Sequence, residues 1–261
     1  VRHRPDVVIH AAAVTAGADR ERADARTIID VNVGGTQSVL DACRAVGVER
    51  FVHVSSGAVY GAATFGSATL DEHTCPEPTG LYGVTKHTAE RLVLRHSELH
   101  DVEVVIGRLS AVFGPWEYTT GVRDFMSPPL QIVEALGRGE PIRYVEDAPR
   151  NWLYAPDAAR ALVRLATGPS PRYDLYNVCP EERGTIAGLL GGIGSSVPGH
   201  EVACVETLED ATLRYDSDPR VQRAVVAADR IRTEVGEDFW TSHEAAFAAY
   251  RRWVDSHPDW V

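Results

Sequence analysis

Three short apolar runs alternate with longer helix-like segments in the first 115 residues, and this order limits the possible folds more than any other feature. The runs span residues 7–9, 51–54 and 102–106, and the segments at about 26–46 and 82–97 carry apolar residues at three- and four-residue steps. A strand–helix–strand order of this kind builds a parallel sheet whose right-handed crossovers cover both faces. The sequence therefore predicts an α/β fold with a doubly wound parallel sheet.

The residues just after the three runs are small or polar. They are residues 11–13, 55–57 and 108–114. In open parallel sheets, ligands bind beyond the carboxyl ends of the strands. Because these three segments reach the same edge of the predicted sheet, we expect the ligand site to lie among them.

The second half of the chain has shorter and more polar segments. Its predicted elements are helices at about 129–137, 157–166 and 243–254, an edge strand at 150–154 and a later strand at 173–178. We therefore expect a main domain and a smaller α+β lobe. The main domain is 1–115, to which 147–180 partly returns, and the lobe consists of 116–146 and 181–261.

Charge and cysteine usage exclude several classes of partner. Acidic residues outnumber basic ones by 37 to 26, and the net charge of −11 repels phosphate backbones, so no nucleic-acid partner is expected. No apolar run approaches the roughly 18–20 residues of a membrane span, so no membrane partner is expected. The four cysteines form no CxxC pair, and the ten histidines form no HxH or HExxH motif. We expect reduced thiols, a cytoplasmic location and no metal.

Only one of the 26 basic residues is lysine, Lys86, and it lies four positions after Tyr82 at the start of a predicted helix. That spacing puts both side chains on one helix face. A phenol ordinarily has a pKa near 10, and a nearby cation lowers it, which suits proton transfer to or from an oxygen. Ser56, at the end of the preceding strand, can hydrogen-bond the same substrate oxygen or satisfy loop backbone groups. We expect Ser56, Tyr82 and Lys86 to be catalytic.

The chain resembles the extended short-chain dehydrogenases/reductases, the NAD-dependent epimerase/dehydratase family. The resemblance rests on six segments in the family's order and spacing: residues 5–13, 32–36, 54–61, 82–86, 108–115 and 150–157. It implies a Rossmann-like sheet that binds a nicotinamide dinucleotide, a smaller lobe that holds a small-molecule substrate, and a homodimer. NAD is the expected cofactor, with NADP as the open alternative.

The same resemblance implies roles for individual residues. Tyr82 would be the general base or acid, Lys86 would bind the nicotinamide ribose, and Ser56 would orient the reacting oxygen. Further cofactor contacts would come from Ala11, Ala12, Ala13, Asn32, Val54, Ser55, Leu109, Ala111 and Val112. Substrate contacts would come from Ser56, Gly57, Ala111, Trp116 and Arg150. Asn32 suits a structural role equally well, and Arg150 would either grip a diphosphate or form a salt bridge at the rim.

The family's glycine-rich GxxGxxG turn is missing at its usual place. The chain opens with Val1 and has Met126 as its single methionine. We therefore expect it to begin at about the family's fourth strand, so that its sheet is incomplete at the N-terminus. The literal GxxGxxG at 188–194 has no buried strand before it, and its apolar spacing predicts an amphipathic helix instead.

Two departures narrow the expected reaction. Family dehydratases carry an Asp-Glu pair after the active-site Ser or Thr, where this chain has Gly57 and Ala58, so dehydration is disfavoured. Family nucleotide-sugar binders often carry Asn at the position of Ala111. We expect an NAD(P)-dependent, 4-epimerase-like enzyme acting on a secondary hydroxyl of a sugar or sugar nucleotide. The alternatives are a plain dehydrogenase or ketone reductase with the same triad, and a non-catalytic dinucleotide sensor.

Overall fold

The computed structural model describes residues 4–119, 121–124, 126–146, 148–194, 200–215 and 223–258. Its strands are β1 (Val7–His10), β2 (Arg50–Ser56), β3 (Thr69–Leu70), β4 (Glu103–Leu109), β5 (Ala111–Phe113), β6 (Ile142–Tyr144), β7 (Trp152–Tyr154), β8 (Leu175–Val178), β9 (Val202–Cys204) and β10 (Val225–Val226). Its helices are α1 (Ala18–Ile29), α2 (Gly35–Val46), α3 (Ala63–Gly66), α4 (Leu81–His100), α5 (Pro128–Arg138), α6 (Ala155–Thr167), α7 (Ile186–Gly194), α8 (Asp229–Val235) and α9 (His243–Ser256).

The main sheet has four parallel strands in the order β1, β2, β4, β8. On one face, α2 and α4 bury Leu40 and Val93 against Phe51 and Ile106. On the other face, α6 and α8 form a second apolar cluster with the sheet. The predicted doubly wound parallel sheet is therefore confirmed, because its strands are buried on both sides by helices.

The first helical region is longer and less regular than predicted. The sequence predicts one helix over about 26–46, whereas α1 begins at Ala18 and a π-helical turn, Asp30–Gly34, joins it to α2. The first turns of α1 are polar and largely exposed, so they carry no apolar periodicity from which their helix could be predicted. The end of α2 is as expected, because Gly47 adopts the left-handed conformation that favours glycine.

The smaller lobe is built on helices α5, α7 and α9. Its core is one apolar cluster that includes Phe113, Ile132, Ile142, Trp152, Ile186, Leu189, Phe247 and Tyr250. Two small parallel pairs, β5 with β7 and β6 with β9, complete it. The glycine-rich run at 188–194 lies in α7, with Leu189 and Leu190 buried, so the predicted amphipathic helix is confirmed.

One helix lies outside the predicted domain division. The sequence division gives all of 181–261 to the smaller lobe, but α8 packs on α6 and β8 of the main sheet. Ile231 is fully buried in that cluster, and Glu234 accepts a hydrogen bond from the hydroxyl of Tyr176 at 2.7 Å. The division therefore needs correction at α8, whose short apolar face is completed only by the sheet.

Two histidines lie side by side in the main sheet. His10 on β1 is bonded to Thr36 Oγ1 at 3.2 Å, whereas His53 on β2 is fully buried and neither ring nitrogen has a partner among the described residues. Their ring centroids are 5.9 Å apart. Burial, with the charge of Lys86 and the neighbouring His10, lowers the pKa of His53 well below its ordinary value. His53 is therefore held neutral inside the sheet.

Candidate active site

A cavity of about 440 Å³ opens beyond the carboxyl ends of β2 and β4. Ser56 and Gly57 line it from the end of β2, Tyr82 from the first turn of α4, Leu109 from the end of β4 and Ala111 from the start of β5. The structure therefore places two of the three predicted catalytic side chains, Ser56 and Tyr82, on the walls of one cavity. Its position at the strand ends is the one expected for a parallel sheet.

A second cavity, of about 520 Å³, shares Ala111 and Arg150 with the first. Val112 lines it together with two further arginines, Arg123 and Arg214. The guanidinium of Arg123 forms an ion pair with Glu117 at 3.0 Å. Arg150 thus lies where the two cavities meet, and both roles expected for it, a diphosphate grip and a rim salt bridge, stay open.

The start of α4 is fixed from two sides. Its first backbone N–H, at Leu81, donates to the Glu21 carboxylate at 2.7 Å, which satisfies a helix-terminal donor. Gly83 lies so close to the 57–60 turn that a Cβ there would be 2.6 Å from the Ala58 carbonyl oxygen. This close packing holds Tyr82 near the turn that begins at Ser56. Glu21 was not identifiable from the sequence, because it lies 60 residues away from the helix it caps.

Lys86 lies one turn beyond Tyr82 and is only 2% exposed. Burial lowers its pKa to about 8, although the nearby Glu90 carboxylate acts in the opposite direction. Within the described part of the chain, its ammonium makes no hydrogen bond. Because the side chain is almost fully enclosed, a ligand with hydroxyl groups beside the ammonium would supply the missing hydrogen bonds.

A buried acid that the sequence analysis missed lies under the site. The Glu90 carboxylate accepts hydrogen bonds from the Ser55 hydroxyl at 2.6 Å and from Arg108 Nε at 2.9 Å and Nη2 at 2.7 Å. Arg108 also lies over the ring of Tyr60. The spacing of Glu90, four residues after Lys86 on the same helix face, is the signal from which it could have been found.

Ser55 illustrates how strand alternation separates neighbouring residues. Its side chain is buried and bonds to Glu90, whereas Ser56 lines the cavity. Successive side chains of a strand point to opposite faces. The Ser55 hydroxyl therefore points away from the cofactor contact expected for it, and only backbone atoms remain for that contact. Val54 is half-buried and packs against the apolar cluster below. Ser56 Oγ also accepts a hydrogen bond from the Ala58 N–H at 3.2 Å, so it serves the loop as well.

Asn32 has the structural role that was one of its two expected roles. It is 1% exposed, and its Oδ1 accepts from the Val14 N–H at 2.7 Å. Its Nδ2 donates to the Val14 carbonyl oxygen and to Thr85 Oγ1, both at 3.0 Å. Its amide therefore ties the loop after β1 to α4. In that loop Ala11 and Ala12 are exposed and Ala13 is half-buried, so the backbone can be approached closely.

Trp116 contacts aromatic residues near the C-terminus. It lines neither cavity and is 56% exposed. Its ring meets those of Trp253 and His257 of the C-terminal segment edge-on, with centroids 5.3 and 5.6 Å away. Its backbone has a φ of +68°, which turns the side chain at the end of the 114–116 loop. An aromatic partner on α9 thus holds the Trp116 ring beside the C-terminal segment, and the substrate contact expected for it stays a prediction.

The loop after β1 is clasped to the segment that precedes α5. Thr15 N–H donates to the Val122 carbonyl oxygen at 2.9 Å, and Asp124 Oδ2 accepts from the Gly17 N–H at 2.6 Å. Asp124 Oδ1 also pairs with Arg20 Nε at 2.6 Å. We call these contacts the clasp. They join the loop of the predicted cofactor residues to the segment that lines the second cavity.

Comparison with known proteins supplies the family. Residues 1–179 match the model of the NAD dependent epimerase/dehydratase family. The chain belongs to this family. Similar curated proteins include the dTDP-glucose 4,6-dehydratase of Streptomyces griseus, which is 30% identical over 259 residues covering 98% of this chain and 73% of that protein. The dTDP-D-glucose 4,6-dehydratase of Mus musculus is 33% identical over 174 residues, 66% of this chain and 46% of that protein.

Solved structures share the fold. The UDP-glucose 4-epimerase of Thermotoga maritima with UDP-glucose superposes with a TM-score of 0.78 at 18% identity, over 98% of this chain and 79% of that one. The UDP-glucuronic acid 4-epimerase of Bacillus cereus with UDP-glucuronic acid and NAD gives a TM-score of 0.75 at 20% identity, over 96% of this chain and 76% of that one. The expected family, α/β fold and enzyme class are thus confirmed.

The remaining expectations concern the cofactor, a membrane, a metal, the oligomeric state and the location. NAD, the expected cofactor, is the one in the family's name. No helix within the described ranges has the length and apolar character needed to cross a membrane. Over the same ranges, no group of three or more His, Cys, Asp or Glu side chains is placed to hold a metal. The homodimer and the cytoplasmic location stay predictions.

Proposed function

We propose that this enzyme moves a hydride between a nicotinamide dinucleotide and a secondary hydroxyl of a nucleotide sugar, in the manner of a 4-epimerase. One observation carries the proposal: Ser56 and Tyr82 line the same cavity, and Lys86 lies buried one helical turn from Tyr82, with no acceptor for its ammonium among the described residues. The names of the relatives, which are sugar-nucleotide dehydratases and epimerases, support the substrate class.

The residues present fit the nicotinamide half of the cofactor. Lys86 would donate to the ribose hydroxyls, and the backbone of Leu109 and Ala111 would meet the carboxamide at the end of β4. Ala11 and Ala12 are small and exposed, so the dinucleotide can approach the loop after β1. The chemistry that a bound nicotinamide supplies is the acceptance and return of a hydride.

Within the chain, Tyr82 would take the proton from the reacting hydroxyl and later return it to the oxygen. The Lys86 ammonium would stabilise the negative charge on the Tyr82 oxygen. Ser56 would donate a hydrogen bond to the substrate oxygen and hold it toward Tyr82. In an epimerase, the sugar then presents its opposite face before the hydride returns, and the larger second cavity leaves room beside Arg150 for the rest of the nucleotide.

Dehydration is disfavoured by the residues beside Ser56. Gly57 and Ala58 line the cavity where the resemblance places an acid–base pair in dehydratases. Neither side chain can move a proton, so elimination of water lacks its acid and base. A plain dehydrogenase or reductase is the second candidate, because Ala111 also replaces the Asn often found in nucleotide-sugar binders. Net conversion of NAD(P) with substrate distinguishes it from an epimerase.

The test is to incubate the protein and its Tyr82→Phe variant with NAD and UDP-glucose, UDP-glucuronic acid or dTDP-glucose. We expect Tyr82→Phe to lower turnover by roughly 10²-fold or more, the usual contribution of a positioned acid–base group. NAD affinity should change little, because the ring remains. Tyr118→Phe, outside both cavities, is the matched control. Turnover of Tyr82→Phe at the wild-type rate would contradict the proposal.

A further inference from the structure

Three structural elements of the site meet at one buried carboxylate. Glu90 on α4 is 3% exposed, and it bonds to Ser55 on β2 and to both Nε and Nη2 of Arg108 on β4. We propose that Glu90 is a positioning residue: it fixes α4 against the ends of β2 and β4, one helical turn from Lys86 on the same face of the helix. The catalytic use of Ser56, Tyr82 and Lys86 rests on the proposed function, whereas the effect of Glu90 on the titration of Lys86 does not.

The register of the main sheet places the residues that Glu90 contacts next to residues that line the cavity. Ser55 and Arg108 are directly paired across β2 and β4, so Glu90 contacts both members of one cross-strand pair. The next pair in the register is Ser56 with Leu109, and both of these line the cavity. Ser56 and Leu109, which both line the cavity, therefore each lie one residue beyond a residue that contacts Glu90.

On α4, Glu90 also lies close in sequence to predicted catalytic residues. Tyr82, Lys86 and Glu90 follow one another at four-residue intervals, so they lie along one face of α4. A shift of Glu90 relative to the sheet would move Tyr82 and Lys86 with it. Because Arg108 contacts Glu90 through two nitrogens, the pair fixes direction as well as distance.

The charge of Glu90 acts on Lys86 through a low-dielectric region. Burial, and with it the charge of Lys86, lowers the pKa of His10 and of His53, so both histidines are neutral near pH 7. Glu90 is the anion that acts on Lys86 in the opposite direction to burial. The Glu90 carboxylate itself also contacts Arg108 Nη2 at 2.7 Å and His87 Nδ1 at 3.4 Å.

The single lysine of the chain makes this measurable without catalysis. Lysine labelled with ¹³C and ¹⁵N at its side chain gives one ε-amine signal, that of Lys86, whose titration midpoint is expected at about 8. In Glu90→Gln we expect that midpoint to fall by about one unit, because a carboxylate becomes a neutral amide. Glu98→Gln is the matched control: Glu98 lies on the same helix in an exposed ion pair with Arg95, and its replacement should leave the midpoint unchanged.

Turnover supplies the second readout. In Glu90→Gln we expect kcat to fall by roughly 10²-fold, the loss that follows a displacement of about 1 Å between reacting groups, with a smaller change in the KM for NAD. Ser55→Ala removes one contact of Glu90 and no charge, so it should lower kcat with the Lys86 midpoint unchanged.

A further variant keeps the test decisive if an unpaired Arg108 prevents folding. Glu90→Gln combined with Arg108→Gln removes both charges, so the Lys86 midpoint should return toward the wild-type value while kcat stays low. An unchanged Lys86 midpoint in Glu90→Gln, together with wild-type kcat, would overturn the proposal. A wild-type protein that turns over no nucleotide sugar would count against the proposed function, whereas the lysine titration would still decide the role of Glu90 toward Lys86.

Discussion

The Nε atom of Arg20 lies 2.6 Å from Oδ1 of Asp124, and this ion pair joins the first turn of α1 to the segment that precedes α5. The two side chains are 31% and 20% exposed. Asp124 also accepts from the Gly17 backbone, so one carboxylate anchors both a side chain and a turn of the predicted cofactor loop. The two cavities are thus linked by a contact outside either of them.

We expect Asp124→Asn to loosen the clasp with little loss of overall stability. A partly exposed ion pair contributes at most about 1 kcal/mol, so the main effect is local. Amide hydrogen exchange at Thr15 and Gly17 should become faster, and the KM for cofactor and for nucleotide sugar should rise together. Asp19→Asn, in a fully exposed pair with Arg22, is the control and should change neither.

The clasp should also weaken in acid. Burial alone raises the pKa of Asp124, but the Gly17 N–H and Arg20 outweigh it and hold the pKa below its ordinary value. The contribution of such an acid is present above the pKa of the unfolded chain and is lost as pH falls through the folded pKa. The protection of the Gly17 amide, relative to its intrinsic exchange rate at the same pH, should therefore fall below about pH 4. Equal exchange in wild type and Asp124→Asn at neutral pH would refute the clasp.

Gly83→Ala should impair catalysis through the packing of α4. A Cβ at Gly83 would lie 2.6 Å from the Ala58 carbonyl oxygen, so the helix or the 57–60 turn must shift. We expect kcat to fall by roughly 10- to 100-fold as Tyr82 moves away from Ser56. Gly137→Ala is the matched control, because nothing lies within 4 Å of its Cβ position and alanine favours a helix. An active Gly83→Ala with unchanged kcat would show that this close contact does not position Tyr82.

Lys86→Met should abolish activity and increase the stability of the fold near pH 7. Burial lowers the pKa of Lys86 from 10.5 to about 8, so the unfolded chain binds this proton more tightly than the folded one. Holding the ammonium therefore costs stability below pH 8, and the cost declines as pH rises from about 8 to 10.5. The variant should be up to about 3 kcal/mol more stable near pH 7.

Urea unfolding at about pH 7 and about pH 10 measures this difference, which should shrink at the higher pH. Turnover should be lost at both. A stability difference that does not change with pH would mean that Lys86 is solvated in the folded protein.

Arg150→Gln should raise the KM for the nucleotide sugar by roughly 10- to 100-fold, the value of a lost charge-assisted hydrogen bond. The change in kcat should be smaller, because Arg150 lies where the cavities meet rather than beside Ser56. Trp116→Ala provides the comparison, since its ring lies against Trp253 outside the site. Steady-state kinetics with both variants distinguishes the two roles expected for Arg150. If Arg150→Gln and Trp116→Ala had the same KM for the nucleotide sugar, Arg150 would have only the role of a rim salt bridge.

The elements that follow a local sequence pattern could be predicted from the sequence. The strands at 7–10, 50–56 and 103–109 were visible as apolar runs, and Tyr82 with Lys86 was visible as a helix-face pair. Their meeting at one edge of the sheet followed from parallel topology alone. The main sheet and the place of the cavity were therefore predictable.

Contacts between distant segments were not predictable. Glu21 caps α4 from 60 residues away, and Asp124 reaches Arg20 across 104 residues, with no local pattern that marks either carboxylate. The contact of Trp116 with Trp253 was hidden for the same reason, since its partner lies at the far end of the chain. The strand that contains Ser55 was predictable. The sheet face on which its hydroxyl lies was not, because that face depends on a strand boundary that the sequence gives only to within a residue or two.

The imidazole of His53, which has no partner among the described residues, sets a lower limit on the pH that this fold tolerates. An unfolded chain takes up a proton on histidine below about pH 6.5, whereas burial in the sheet lowers the pKa of His53 well below that value. Each step toward acid over that range therefore favours the unfolded chain, through a side chain on an inner strand of the main sheet.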